Sequence, residues 1–363
     1  PTPLVDAADH VSGTTRYTND LTLPGMRYAA IARCPTFGGR PADYDRAAAL
    51  SIPGVTDVIE IELGVAVVAD HTWAALQGRA ALNVSWNRGS LSGTTSESIQ
   101  QRLIDNTRSV GSGKIGAAYD IPYLAHAALE PMGTVADVRS DGCDVWAPTQ
   151  DPQGARRTVQ NLTGLSSSTI TVHVPPVGGK FGRGHYHDAV TEAVRLSQAI
   201  EAPVKLLWTR EDDMRHDRYH PMSRYQATAP ASGRSRPSVR SNSAGSPIPI
   251  GAWRSVGNHP TAFARECLID EVAAANGVDP VELRLQIMDR DARRVIELAA
   301  EKSGWGDPLP AGWGRGIGYF STFDVTPVAQ VAEVSVEGSE IRVHRVVCAI
   351  DCGTVVNPDT VRA

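Results

Sequence analysis

Val177-Gly178-Gly179-Lys180-Phe181-Gly182-Arg183-Gly184 lies between two segments of opposite texture. Before it, Ile170-Thr171-Val172-His173-Val174 is an apolar, β-like run closed by Pro175-Pro176. After it, Ala189, Ala193, Leu196 and Ile200 recur at spacings of four, three and four, which predicts a helix over 188–200 with one buried face. Strand, glycine-rich turn, helix is an arrangement that brings backbone against a phosphorylated or otherwise large anionic ligand. Glycine lacks the Cβ that would block approach and accepts positive φ, so successive N–H groups can converge. The spacing is neither Gly-x-Gly-x-x-Gly nor Gly-Lys-Ser/Thr, so the dinucleotide fingerprint and the P-loop are both excluded. By itself the stretch fits a tight turn as well as a ligand loop.

The chain has 363 residues, enough for two or three domains and a large core. Hydrophobic residues make up 42% and charged residues 21%, the balance of a globular chain, and no run reaches the length of a membrane span. A net charge of −5 gives no reason to expect nucleic acid as a partner. Cys34, Cys143, Cys267, Cys348 and Cys352 are odd in number and scattered, which argues against a disulfide framework. None falls in Cys-x-x-Cys spacing, so the chain has no iron–sulfur cluster of its own.

Residues 14–86 read as a compact α/β unit. Strands are expected at 28–34, 55–63, 65–69 and 82–86, with helices at 42–49 and 72–81. Residues 87–114 read as a linker. Short strands dominate from 115 to 174, around a helix at 153–162. Residues 229–250 are rich in Pro, Ser, Arg and Gly, with hardly an aliphatic side chain before Ile248, and are expected to be a flexible or truncated connection. Order is expected to resume at 251, with helices at 261–276, 280–288 and 293–303. A hairpin of strands 330–336 and 341–350 then turns across Glu337-Gly338-Ser339.

Several separated stretches resemble one family, the molybdenum hydroxylases related to xanthine dehydrogenase and aldehyde oxidase. Residues 1–86 resemble the hammerhead domain that opens their large subunit, and 115–228 and 251–363 resemble two parts of its molybdopterin-binding region. Ala125-His-Ala-Ala-Leu-Glu-Pro131, Ala147-Pro-Thr-Gln150, Gly178-Gly-Lys-Phe-Gly182, Gly251-Ala-Trp-Arg-Ser-Val-Gly257 and Asp351-Cys-Gly-Thr-Val-Val-Asn-Pro358 match its motifs in order. The Trp-Arg-Ser-Val-Gly wording is most similar to the isoquinoline 1-oxidoreductase β-subunit group and related bacterial aldehyde dehydrogenases. The resemblance implies an α+β fold: a small hammerhead domain, then a mixed α/β cofactor-binding domain whose C-terminal part is missing.

The resemblance also implies a chemistry: hydroxylation of an N-heterocycle or oxidation of an aldehyde, with water as the oxygen source. The cofactor would be molybdopterin, in the cytosine dinucleotide form, with molybdenum held through the pterin and no direct protein ligand. Electrons would leave through [2Fe–2S] clusters on a small partner subunit. Gln150 would hydrogen-bond a metal oxo group, and Gly178, Gly179, Phe181, Gly182 and Arg183 would lie beside the cofactor. Arg254, Ser255, Val256, Gly257 and Asn357 would hold the pterin or its pyrophosphate, while Phe181 and His185 would face substrate. The family's general base is a glutamate in a Gly-Val-Gly-Glu-like motif. It is expected beyond Ala363, on a further segment or chain, so no catalytic residue is assigned here and this chain alone is expected to be inactive. Relatives also carry more sequence between Tyr225 and Gly251. A remnant or assembly partner that keeps the fold without the chemistry is the alternative reading.

Other patterns have plainer explanations. His216 and His220, with Asp213 and Asp217, could line a metal site, but charged helices produce this spacing freely. His185 and His187 beside Asp188 fit helix capping by the aspartate better than metal binding. Arg234, Arg236 and Arg240 lack interleaved aromatics and read as a solvated loop. Cys352 beside Asp351 has no partner histidine to make it a nucleophile. Asn83-Val-Ser and Asn161-Leu-Thr match glycosylation sequons.

Overall fold

The computed structural model describes residues 4–62, 64–242 and 245–362. Its centre is a seven-stranded sheet in the order Val55–Ile61, Gly64–Ala69, Arg27–Arg33, Val204–Leu207, Gly133–Val138, Cys143–Trp146, Ile170–His173. The α/β unit expected over 14–86 is therefore not a sheet of its own. Arg27–Arg33 pairs parallel with Val204–Leu207, aligning Arg27 with Val204, so the sheet runs on across the boundary placed at residue 86. Gly64–Ala69 is buried at every position, as expected of a central strand covered on both faces. One core joins the two halves: Ile31 and Val68 share a cluster with Val145, Leu196 and Leu206.

Helix Asp188–Ile200 lies across Gly133–Val138 and Val204–Leu207 and buries Ala189, Val190, Ala193, Val194 and Leu196. The apolar spacing in the sequence foretold this face. Helix Pro152–Thr163 packs beside it, opened by the Asp151 cap on Gly154 N–H and closed by Gly164 at φ 73°.

The rest of the chain packs around helix Asn258–Asn276. Strands Lys114–Ile121, Ser223–Pro230 and Ser238–Asn242 form one sheet, and Trp313–Thr322, Thr326–Glu337 and Glu340–Ile350 form another. Their buried side chains, among them Tyr225, Leu268, Ile269, Ile296 and Val331, make a second core. Inside it Arg284 is fully buried and joins Glu266 at 2.8 Å and Asp270 at 2.7 Å. The edge strand Glu340–Ile350 leaves Ile341, Val343 and Val346 exposed. Among the described residues no helix is long and apolar enough to cross a membrane.

Several expectations need correction. Residues 87–114 are not a linker throughout: Thr95 caps helix Ser96–Asp105, which buries Ile99 and Leu103. Residues 229–250 are not flexible throughout either. Ser238–Asn242 pairs with the preceding strand, Arg240 opposite Gln226, and Val239 packs on the second core. Composition misleads here because the order comes from backbone hydrogen bonds to a formed neighbour, not from the segment's own apolar area. Ser243 and Ala244 lie outside the described residues. The helix expected at 42–49 is a strand, Arg40–Asp43, followed by a helix, Arg46–Leu50, because Asp45 caps Ala48 N–H and delays the first turn. Strand Trp313–Thr322 went unpredicted because Gly314, Gly316 and Gly318 on one face resemble a loop.

Candidate functional site

Three loops converge beside the central sheet: 125–131, 177–184 and 251–257. The meeting point is Gly182, at φ 109°. A Cβ there would stand 2.1 Å from the carbonyl oxygen of Ala252, so only glycine permits the contact. Gly178 is as crowded, since its Cβ would meet Glu130 Cβ at 2.5 Å. Glu130 in turn accepts from Gly178 N–H at 2.9 Å.

Gln150 is bound into the same loop. Its Oε1 accepts from Gly182 N–H at 2.9 Å and Gly184 N–H at 3.3 Å, while its own N–H donates to the Gly184 carbonyl at 3.0 Å. Two N–H donors fix which end of the amide is oxygen and leave Nε2, on an exposed side chain, without an acceptor among the described residues. Gly179 and Phe181 N–H groups have no acceptor among the described residues.

The loop's cations point inward. Lys180 is 2% exposed and donates to the carbonyls of Glu130 at 2.9 Å and Pro131 at 3.2 Å. Burial holds its pKa below the ordinary lysine value, against the pull of Glu130 and Asp213. Arg183 is 1% exposed, 2.8 Å from both Asp188 and Asp217. Its N–H bonds are poorly aligned with those oxygens, so it acts as a buried charge rather than a hydrogen-bonding fork. The direct cofactor contact expected of Arg183 is thus corrected: its guanidinium faces the interior and supports the loop from behind.

Asp188 is not a helix cap but a partly buried counter-ion. It takes Arg218 Nε and Nη2 at 3.0 and 2.8 Å, and His187 occupies the cap position. Burial would raise its pKa, yet Arg218 and Arg183 hold it below the usual carboxylate range. The four residues of the metal hypothesis diverge. His216 packs edge-on against Phe37, and burial, reinforced by Arg33, drives its pKa down to about 4. His220 faces Trp253 and His259, Asp213 pairs with Arg210, and Asp217 pairs with His126. Among the described residues no group of three or more His, Cys, Asp or Glu could hold a metal ion.

Arg254, Ser255, Val256 and Gly257 are exposed, and the Arg254 guanidinium lies 5.4 Å from the centroid of the Phe181 ring. Ser255 and Val256 have φ of 70° and 49°, a costly state for a β-branched residue. Ala127, Phe181, Ser255 and Val256, four of the eight non-glycine residues with positive φ among those described, fall in the converging loops. Ser255 and Gly257 N–H groups are also without acceptors there. His185 is exposed on the turn Arg183–His185. Asn357 accepts from Asp359 N–H at 3.1 Å, at the start of helix Pro358–Arg362. Sequence reading missed roles for Asp217 and Tyr186, whose hydroxyl accepts from Ala252 N–H at 2.9 Å; nothing local marks either residue.

Backbone donors without acceptors among the described residues stand on two strained, close-packed loops beside the exposed Gln150 amide, and together they form the candidate site. The molybdopterin cofactor-binding domain family matches residues 112–234. The chain is 26% identical to the isoquinoline 1-oxidoreductase β subunit of Brevundimonas diminuta, over 99% of this chain and 56% of that protein. It is 27% identical to a nicotinate dehydrogenase subunit of Pseudomonas putida, over 99% of this chain and 38% of that one. The fold resembles quinoline 2-oxidoreductase from Pseudomonas putida 86, with a TM-score of 0.71, 19% identity and coverage of 87% of this chain and 56% of that one. Residues 112–234 thus carry a molybdopterin cofactor-binding domain, and the chain as a whole is similar to the molybdenum-binding subunits of the molybdenum hydroxylases. It spans 56% and 38% of the two curated relatives named. The match to the isoquinoline relative extends over 438 positions, so that relative carries residues within the matched span that this chain lacks.

Proposed function

We propose that this chain is the cofactor-holding part of an oxidoreductase that hydroxylates an N-heterocycle or oxidises an aldehyde. It would pass electrons to [2Fe–2S] clusters on a small partner subunit. The observation that carries this reading is the state of Gln150: its oxygen is committed to Gly182 and Gly184, and its Nε2 is left to donate outward. The bound molybdenum cofactor, in its cytosine dinucleotide form, would supply hydroxylation with oxygen taken from water.

The residues present fit such a group. Gln150 Nε2 would donate to an oxygen of the cofactor, and the N–H groups of Gly179, Phe181, Ser255 and Gly257, which have no acceptor among the described residues, would be available to its anionic oxygens. Arg254 supplies the exposed charge that the buried Lys180 and Arg183 cannot. Phe181, 42% exposed, and His185 flank the substrate. No residue of this chain is assigned as general base. Molybdenum and pterin content per protomer of the complex purified from its source tests the reading. Near-stoichiometric cofactor is expected, and a full partner-bound preparation lacking molybdenum would sink it.

A further inference from the structure

His126 is almost fully buried, and both of its ring nitrogens face acceptors. Nδ1 lies 2.9 Å from Asp217 Oδ2 and 3.1 Å from Oδ1, and Nε2 lies 2.7 Å from the carbonyl oxygen of Ala252. A carbonyl cannot donate, and an ionised carboxylate cannot either. A neutral imidazole carries one N–H, so either neutral tautomer would press a ring lone pair against an oxygen lone pair. Only the doubly protonated ring satisfies both contacts.

The surroundings favour an ionised Asp217. Besides His126 Nδ1, it accepts from His126 N–H at 2.6 Å and Arg218 N–H at 2.7 Å, with Arg183 Nε at 2.8 Å. The Ala252 carbonyl is the one packed against Gly182. A single oxygen atom thus joins all three converging loops. The charged and titratable groups around this centre are Asp217, Arg183, Asp188 and Arg218 on one side. Lys180, Glu130, Asp213 and Arg210 lie along the 177–184 loop, and His220 and His259 lie behind Trp253.

We propose that His126, with an N–H on each ring nitrogen, clasps the 251–257 loop onto the 177–184 loop, a positioning residue for the site. Without the Nε2 N–H the Ala252 carbonyl would lose its side-chain partner and the 251–257 loop its tie to the 125–131 loop. The inference rests on contacts within this chain and stands whether or not the proposed cofactor is correct.

The test uses the whole chain labelled with 15N-histidine. In the wild type, one histidine should show both ring nitrogens as N–H nitrogens at neutral pH, with Overhauser contacts from its ring N–H protons to the backbone of residues 251–253. A single neutral tautomer at that ring would overturn the proposal. Amide exchange in 251–257 should be faster in His126→Phe, which keeps a ring but has no N–H to donate, than in the wild type, and His126→Gln, whose amide can donate, should restore part of the protection. Unchanged exchange in His126→Phe would also overturn the clasp. Should these variants fail to fold, the wild-type ring spectrum decides alone.

Discussion

Gly182 and Ala252 are in contact through backbone alone: the Gly182 α-carbon faces the Ala252 carbonyl so closely that an added Cβ would stand 2.1 Å from its oxygen. Residues seventy positions apart in the chain therefore set the spacing of the candidate cofactor loops.

Gly182→Ala should part these loops. The left-handed conformation alone costs a non-glycine residue about 1–3 kcal/mol, and the overlap with Ala252 adds to it. Thermal melting should show a clear loss of stability, accompanied by loss of bound cofactor. Gly257→Ala is the matched control: nothing lies within 4 Å of its added Cβ and its φ is −81°. Its stability should stay within about 0.5 kcal/mol of wild type.

Substitutions at Gln150 should separate its two ends. Gln150→Glu keeps an acceptor for Gly182 and Gly184 N–H but has no donor, so the fold should hold while cofactor retention falls. Gln150→Leu removes both hydrogen bonds, at about 0.5–1.5 kcal/mol each. Equal melting behaviour of the two variants would argue that the loop does not depend on the Oε1 contacts.

The buried ion cluster predicts acid lability with a definite sign. Asp188 and Asp217 are pushed up by burial but held below the ordinary carboxylate range, Asp188 by Arg218 and Arg183, Asp217 by His126 and Arg183. An unfolded aspartate titrates near about 3.9, so the stabilisation is present above that pH and is lost as pH falls through the lowered folded value. The melting temperature should drop steeply below about pH 4, and Asp188→Asn should flatten the drop.

Arg284→Met should be among the most damaging single changes in the second core. It would leave Glu266, 7% exposed, without its charge partner, and breaking a buried pair costs about 3–5 kcal/mol. Replacing Arg284 and Glu266 together with apolar residues should recover much of the loss in urea unfolding.

Much of this was legible in the chain. Helix 188–200 lies where its apolar periodicity put it, and helix 72–81 has its expected bounds, because such signals are local. Strand Ser238–Asn242 was not legible, since its order is borrowed from Ser223–Pro230. The inward turn of Arg183 was not legible either, because its counter-ion Asp217 sits thirty-four residues away.

The sequence by itself determined the kinds of backbone available. Glycines at 178, 179 and 182 allow close approach, an amphipathic helix follows them, and motifs in a set order mark the family. Tertiary structure decided which of those groups face outward. Charges go where burial and distant partners make them cheapest, so Lys180 and Arg183 turned inward while Gln150 and Arg254 remained at the surface. No local signal carries that choice, because the desolvation that sets it exists only once the chain has closed.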